Sequence, residues 1–449
     1  MAQDIDIKKV FLGKRAALIL FLGGFTVLLA VVAVQQRMRS AAEPKRSGPE
    51  AVGVVQSGAP PEQIRQFRWQ REVSLPRAVL EDGRLVQTMA DGTRIRLTLE
   101  PELQQTADRL LRRYQLPYAS IVMISVRTGR VLAMAGYSKA DPGLTPRQLA
   151  LAAWAPAASV FKLVTAAALI ERNKARPMTR VCYHGGLRSL SAANLTDDPK
   201  KDTTCHTLAD AVGMSLNPVV GKLARKRLSR NELLDTANRF GWNAAIDFDL
   251  GIRPSLASIP AEEIPRARVA AGFWQTTLSP LHGALVAQAL ANGGVMVRPQ
   301  IVDEIRRPNG QKVKLPASWR KQVVTPFTAK VVGRMMVLTT TVGTARDGFY
   351  DRHGRAYLPS VKVAAKTGTL SRKSPPLDYN WLVGFAPFDR PQVAFAILLG
   401  NTPRWRTKPH FLARQLLQAV FARRTPDLAP SKPTRRPRSD RSRAASPVI

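Results

Sequence analysis

The 449-residue sequence has only two cysteines, Cys182 and Cys205. Two thiols cannot frame a disulfide-dense small scaffold. Lying 23 positions apart, they suit a single disulfide in an oxidising compartment. Free thiols are one alternative. A zinc site completed by His184 and His206 is the other, but adjacent Cys205-His206 and the one-residue spacer between Cys182 and His184 fit tetrahedral zinc poorly. No metal and no cofactor is expected. Acidic residues are also scarce: 32 Asp and Glu stand against 68 Lys and Arg, a net charge of +36. That excess favours anionic partners such as nucleic acid, acidic lipid or an anionic wall, and says nothing about fold. No aromatic-basic reader motif is present, so nucleic acid is not the expected partner. There are no obvious internal repeats.

Long apolar runs are almost absent too. The one exception is residues 16–34, AALILFLGGFTVLLAVVAV, which carry no charge. Nineteen residues at about 1.5 Å each nearly cross a hydrocarbon core of about 30 Å. The expectation is one anchor in the cytoplasmic membrane, with residues 1–15 cytoplasmic and the rest of the chain extracytoplasmic or periplasmic. A cleaved signal ending near Ser40-Ala41-Ala42 is the rival reading, and a buried core helix is another. Four basic residues on each side (Lys8, Lys9, Lys14, Arg15; Arg37, Arg39, Lys45, Arg46) leave the positive-inside rule undecided.

The rest of the chain divides by composition. Residues 35–62 read as a Pro-, Gly-, Ala- and Ser-rich linker. A short extension over 63–93 contains strand signals with Asp-Gly turns at 82–83 and 91–92. Pro101 and the spacing of Leu103, Ala107, Leu110 and Leu111 predict a helix. Two apolar runs within 119–137 flank Arg127-Thr128-Gly129-Arg130 and predict a hairpin. A helix-rich middle follows, roughly 144–345. Strand signals return at 360–366, 380–386 and 393–400, and 410–423 is an amphipathic helix. Strands from both ends could pair in one antiparallel sheet beside the helical middle. Residues 424–449 lack apolar periodicity. Counted from Arg423, the end of the chain holds eight Lys or Arg against two Asp, so it reads as a disordered basic tail.

Within the apolar segment Ala155–Glu171, Ser159 and Lys162 stand three apart and so share a helix face. A lysine in such surroundings is costly to bury unless something uses it. The pair fits a hydroxyl nucleophile with an amine that takes its proton, or else a surface serine and a snorkelling lysine. Ser215-Leu216-Asn217 and Lys366-Thr367-Gly368-Thr369 follow in order. Ser-x-x-Lys, Ser-x-Asn and Lys-Thr-Gly in this sequence are each weak and together strong.

On these motifs the chain resembles the transpeptidase domain of penicillin-binding proteins over about 94–423. The resemblance extends to LEPELQQTA, TGRVLAMAG, SLNPVVGKLA, ANGGVMVRPQIV, VGTA at 342–345 and NWLVGFAPFDRPQVAFAILL. Ala158 and Ala365 stand where the family often has glycine, and GFWQTTLSP is an unusual version of a Gly-rich stretch. The resemblance implies an α/β (α+β) fold of the β-lactamase/transpeptidase type, with a five-stranded antiparallel sheet, an all-helical lobe, and Ser159 opening a buried helix between them. It implies a peptidoglycan D,D-transpeptidase that acylates Ser159 with D-Ala-D-Ala stem peptides and is inhibited by β-lactams. In those terms Lys162 is the base and Ser215 the proton relay. Asn217 would bind the substrate amide. Lys366, Thr367 and Thr369 would hold the terminal carboxylate, Gly368 would leave room for the acyl group, and the backbone N–H groups of Ser159 and Thr369 would form the oxyanion hole. Only about 60 residues separate the apolar run from the resemblance. The expectation is therefore a monofunctional enzyme working with a separate glycan-strand polymerase. A D,D-carboxypeptidase, a β-lactamase or an inactive β-lactam receptor of the same fold are the alternatives; no Glu-x-x-Leu-Asn loop favours the β-lactamase.

Overall fold

Five strands form the central antiparallel sheet. β1 (Tyr118–Ser125) and β2 (Val131–Tyr137) are the expected hairpin. At its turn Gly129 has φ +73°, and a Cβ there would lie 2.2 Å from the Arg298 carbonyl oxygen, so only glycine fits. β3 (Ala364–Arg372), β4 (Leu377–Ala386) and β5 (Val393–Asn401) come from the other end of the chain. The spatial order is β3-β4-β5-β1-β2, so β5 and β1 join the two ends in antiparallel register from Val393–Ser125 to Gly400–Tyr118. This computed structural model describes residues 73–422 except 189, 374–375 and 403–406. The apolar run, the linker and the basic tail lie outside the described residues. Among those described, no helix is long and apolar enough to cross a membrane.

Side chains alternate across each strand and separate two cores. Ile121 and Met123 of β1 face a layer built from Leu103, Ala107, Leu110 and Leu111 of α1 (Pro101–Tyr114) and Leu412, Leu416 and Leu417 of a C-terminal helix, Pro409–Phe421. Val122 and Ile124 face the helical lobe, which includes α2 (Lys162–Glu171), α3 (Asn217–Arg227), α4 (Pro280–Ala291) and α5 (Pro326–Thr341). The C-terminal helix is α6. α4 is buried along nearly its whole length, as an apolar sequence with only His282 and Gln288 as polar members dictates.

Two expectations need correction. The strand placed at 360–366 begins at Ala364 and runs to Arg372, so Lys-Thr-Gly-Thr lies inside the strand rather than at its end. The apolar signal stops at Ala365, but pairing with β4 continues residue by residue to Arg372–Leu377. β3 is a sheet edge, and there polar side chains can face a cleft. The middle of the chain is also not helical throughout. Val302–Arg306 is a strand paired with Arg94–Leu97, in a four-stranded sheet with Val79–Glu81 and Arg84–Thr88. Its charges hid it: Asp303 binds Arg96 at 2.8 Å and Arg130 at 2.6 Å. Both Asp-Gly turns fall where the sequence places them, and the strands Arg84–Thr88 and Arg94–Leu97 on either side of the second pair with each other.

Candidate active site

Ser159 sits in a single 3₁₀ turn, Ala158–Phe161, that leads directly into α2. The first nine residues of α2, Lys162 to Ile170, are all buried. Lys162 Nζ lies 2.7 Å from Ser159 Oγ and 2.6 Å from Asn217 Oδ1, and it also bonds the carbonyl oxygen of Ala271. All three partners are oxygens that Nζ can donate to. In the neutral form two N–H groups would serve the amide and peptide oxygens and leave the lone pair for the Ser159 proton. Burial, and then the charge of Lys366, hold the Lys162 pKa well below the usual lysine value. The snorkelling alternative fails because this lysine is fully buried.

Lys366 is buried in β3 and donates to Ser215 Oγ at 3.0 Å and to its neighbour's carbonyl, Thr367 O, at 2.9 Å. Burial pulls its pKa down to about 7. Ser215 has φ +60° just before α3. It does not cap that helix: the N-cap is Leu216, and the Ser215 hydroxyl faces Lys366. Asn217, at the first turn of α3, spends Oδ1 on Lys162 and donates Nδ2 to the Arg188 carbonyl at 2.6 Å. Thr367 Oγ1 lies 2.5 Å from Thr344 Oγ1, while Thr369 Oγ1 is 3.5 Å from Asn380 Oδ1. Ser159, Ser215, Asn217, Thr367, Gly368 and Thr369 together line one cleft of about 420 Å³, with both lysines packed beneath it.

Gly368 also has a packing role. A Cβ there would lie 3.2 Å from the Trp381 side chain and 3.3 Å from Ala158 Cβ. The missing side chain lets the strand close on the turn that carries Ser159. Sequence reasoning missed three contributors. Gly272 has φ +93°, and a Cβ there would meet the Ala158 carbonyl oxygen at 2.2 Å and the Ser159 nitrogen at 2.8 Å. Its neighbour Ala271 supplies the carbonyl on Lys162. Thr344, in the VGTA segment after α5, reaches the first threonine of β3. The odd GFWQTTLSP stretch was the only available signal for the first two. Ala158 itself has φ +49°, the left-handed region in which glycine costs least, which explains why glycine suits that place.

Cys182 and Cys205 are directly opposite each other in the strand pair Arg180–Tyr183 and Thr204–Thr207 and form a disulfide. The histidines of the zinc alternative are engaged elsewhere. His184 Nδ1 meets the Asp202 carboxylate at 2.6 Å, and His206 Nδ1 meets the Tyr183 hydroxyl at 3.0 Å. Buried Lys222 of α3 ties this hairpin down through Asp202 at 2.6 Å and the Cys182 carbonyl at 3.1 Å.

The penicillin binding protein transpeptidase domain matches residues 119–420. Among curated relatives, stage V sporulation protein D of Bacillus subtilis is 26% identical over 332 residues, covering 69% of this chain and 50% of that one. Peptidoglycan D,D-transpeptidase PbpA of Mycobacterium tuberculosis is 24% identical over 353 residues, covering 69% and 68%. The chain thus spans half the length of the first relative and about two thirds of the second. The crystal structure of the mycobacterial PBPA superposes with a TM-score of 0.60 at 21% identity, covering 74% of this chain and 81% of that one. Its imipenem acyl-enzyme complex gives 0.60 at 22%, covering 74% and 80%. With a domain match over more than half of its residues, the chain belongs to the penicillin-binding protein transpeptidase family.

Proposed function

We propose that the chain is a serine D,D-transpeptidase that cross-links peptidoglycan stem peptides and is acylated by β-lactams. The observation that carries this reading is the buried Lys162 amine at 2.7 Å from Ser159 Oγ, with two oxygen acceptors fixing its remaining hydrogens. Ser159 Oγ attacks the carbonyl of the penultimate D-alanine as its proton passes to Lys162. The tetrahedral oxyanion takes hydrogen bonds from the backbone N–H groups of Ser159 and Thr369; one such donor is worth about 10²–10³ in rate. Collapse breaks the C–N bond, and the departing D-alanine nitrogen gains a proton through Ser215, which Lys366 holds at 3.0 Å. Thr367 and Thr369, with the Lys366 charge below them, receive the terminal carboxylate. An amine of a second stem peptide then attacks the ester, forming the cross-link and returning the proton to Ser159. In a β-lactam the ring nitrogen is the leaving group, and it remains tethered to the acyl chain.

The same proposal places the catalytic domain outside the cytoplasmic membrane, held by residues 16–34, with glycan strands made by a separate polymerase. It rests on the uncharged apolar run and on the disulfide, which suits an oxidising compartment. The test is fluorescent penicillin labelling of wild type against Ser159→Ala, followed by product analysis with a D-alanyl-D-alanine donor and an amine acceptor. Labelling that survives Ser159→Ala overturns the assignment. Hydrolysis without cross-linked product makes the enzyme a carboxypeptidase, and rapid penicillin turnover makes it a β-lactamase.

A further inference from the structure

Residues 185–188, which leave the disulfide hairpin, are all exposed, Leu187 included, so burial does not fix their backbone. Yet two of them serve the base. The Leu187 carbonyl accepts from the Asn217 backbone N–H at 3.1 Å, and the Arg188 carbonyl accepts from Asn217 Nδ2 at 2.6 Å. The second bond has a chemical consequence. A carbonyl oxygen can take a hydrogen bond only from the nitrogen side of an amide. With Nδ2 so engaged, Oδ1 is turned to Lys162 Nζ at 2.6 Å. A flipped amide would aim its NH₂ at Nζ. A neutral amine would then accept that hydrogen with the lone pair that the Ser159 proton needs.

What holds the loop is α3 itself. Lys222, buried little more than one helical turn beyond Asn217, bonds the Cys182 carbonyl at 3.1 Å and Asp202 at 2.6 Å, with Asp197 at 3.3 Å. Asp202 in turn holds His184 Nδ1 at 2.6 Å, at the start of the loop. The Cys182–Cys205 bridge joins the two strands of the hairpin, so all these ties act on one body. On the far side of the loop, buried Leu190 lies over Gly221, where a Cβ would come within 2.9 Å of Leu190 Cδ1. Two neighbouring residues of one helix thus grip both ends of the loop, and Asn217 of the same helix meets its middle.

Resting on the transpeptidase reading, we propose that Lys222 and the Cys182–Cys205 bridge position the base: they hold the 184–188 loop so that the Arg188 carbonyl keeps the oxygen of the Asn217 amide, and not its nitrogen, toward Lys162. Lys222 touches no reacting atom. It is a positioning residue, and it acts through Asn217. The hairpin is therefore part of the catalytic apparatus as well as a brace for the fold.

The test is a double-mutant cycle on the limiting rate of Ser159 acylation by a fluorescent penicillin, measured by stopped flow on the full chain. Lys222→Met, and separately the pair Cys182→Ser and Cys205→Ser, are expected to lower that rate about tenfold. This is less than the loss of about 10² that follows a 1 Å displacement of a reacting group, because the base itself stays in place. In an Asn217→Ala background each costs less than about twofold, since no amide is left to misplace. The rising limb of rate against pH moves to lower pH in both, as in Asn217→Ala, because losing an acceptor or gaining a donor at Nζ favours the neutral amine. Lys366, the charge that acts on the base, is common to all the variants. Loss of the Lys222 charge acting through space would move the limb of Lys222→Met the other way. Where Lys222→Met does not fold, the cysteine pair, which changes no charge, decides. Full additive losses in the Asn217→Ala background overturn the proposal, as does a limb that stays in place or moves to higher pH: those results belong to a hairpin that only supports the fold. Failure of the transpeptidase reading looks different, since wild type then takes no label at Ser159.

Discussion

Lys366 Nζ lies 3.0 Å from Ser215 Oγ, although 151 residues separate them in the chain. Ser215, the proposed relay, and β3, the proposed carboxylate-binding strand, are therefore one hydrogen-bonded unit, so a change at Lys366 reaches both.

The base depends on an amine that can be neutral. Lys162→Arg is expected to lose acylation by at least about 10³-fold, because a guanidinium keeps its proton near neutral pH. Lys162→Ala should lose about as much. The check is the second-order rate of labelling by a fluorescent penicillin, with circular dichroism showing that the fold survives. Acylation by Lys162→Arg at close to the wild-type rate would make Lys162 a fixed charge rather than a base.

The charge on Lys366 lowers the Lys162 pKa, and Lys366 itself titrates near 7. Removing that charge with Lys366→Met raises the Lys162 pKa, so at a given pH more of the base is protonated. The variant is slower throughout, and its deficit in acylation rate is expected to be greater well below pH 7 than well above it. A deficit of equal size across the pH range would contradict the coupling.

The same burial costs stability. The Lys366 pKa falls from 10.5 in the unfolded chain to about 7 in the fold. Between those values the unfolded chain binds more protons, so wild-type stability rises as pH climbs from about 7 toward 10.5. Below about 7 the penalty is fully present. Lys366→Met is expected to have the higher Tm at neutral pH, with the gap narrowing as pH rises. A variant that melts below wild type at neutral pH would show that the hydrogen bonds to Ser215 and Thr367 outweigh desolvation.

Gly272→Ala puts a Cβ at 2.2 Å from the Ala158 carbonyl oxygen and 2.8 Å from the Ser159 nitrogen. Both contacts are with backbone, so the turn carrying the nucleophile must move. Displacements of about 1 Å at a reacting group cost about 10²-fold. The expected result is a loss of at least that size in acylation and a drop in stability of about 1–3 kcal/mol. Rates measured by stopped flow and a urea melt separate the two effects. Wild-type acylation would mean that the turn tolerates a shift.

The cross-link between Cys182 and Cys205 closes a 23-residue separation. In the chain-entropy model it contributes about 3 kcal/mol. The Cys182→Ser, Cys205→Ser double variant is expected to lose about that much by denaturant titration. Mass spectrometry without reductant should show one linked peptide pair. Two alkylatable thiols in the native protein would refute the bridge.

The sequence carried the chemistry further than the architecture. Ser159, Lys162, Ser215, Asn217 and the Lys366–Thr369 run were all legible, because each acts through a side chain in a recognisable motif, and the structure brings all of them to one cleft. Residues acting through backbone were not legible: Ala271 offers only a carbonyl, and Gly272 only the absence of a Cβ. The interior strands β1, β4 and β5 announced themselves by apolar runs. The outer half of β3 did not, since Thr367, Thr369 and Ser371 belong to the cleft wall and read as loop. Val302–Arg306 escaped because its pairing partner lies some two hundred positions earlier and its own charges break the apolar pattern.

The order β3-β4-β5-β1-β2 sets when this catalyst can first exist during synthesis. Ser159 and Lys162 leave the ribosome early, but β1 must wait for β5, whose Gly400 pairs with Tyr118. Until then the sheet's central seam is open, and Lys366 has not yet reached the nucleophile. Pairing over such separations forms late. A nascent chain stalled before β5 holds Ser159 and Lys162 close in sequence but lacks the strand that joins the two ends of the sheet, so the cleft is expected to be complete only when almost all of the described domain has been made.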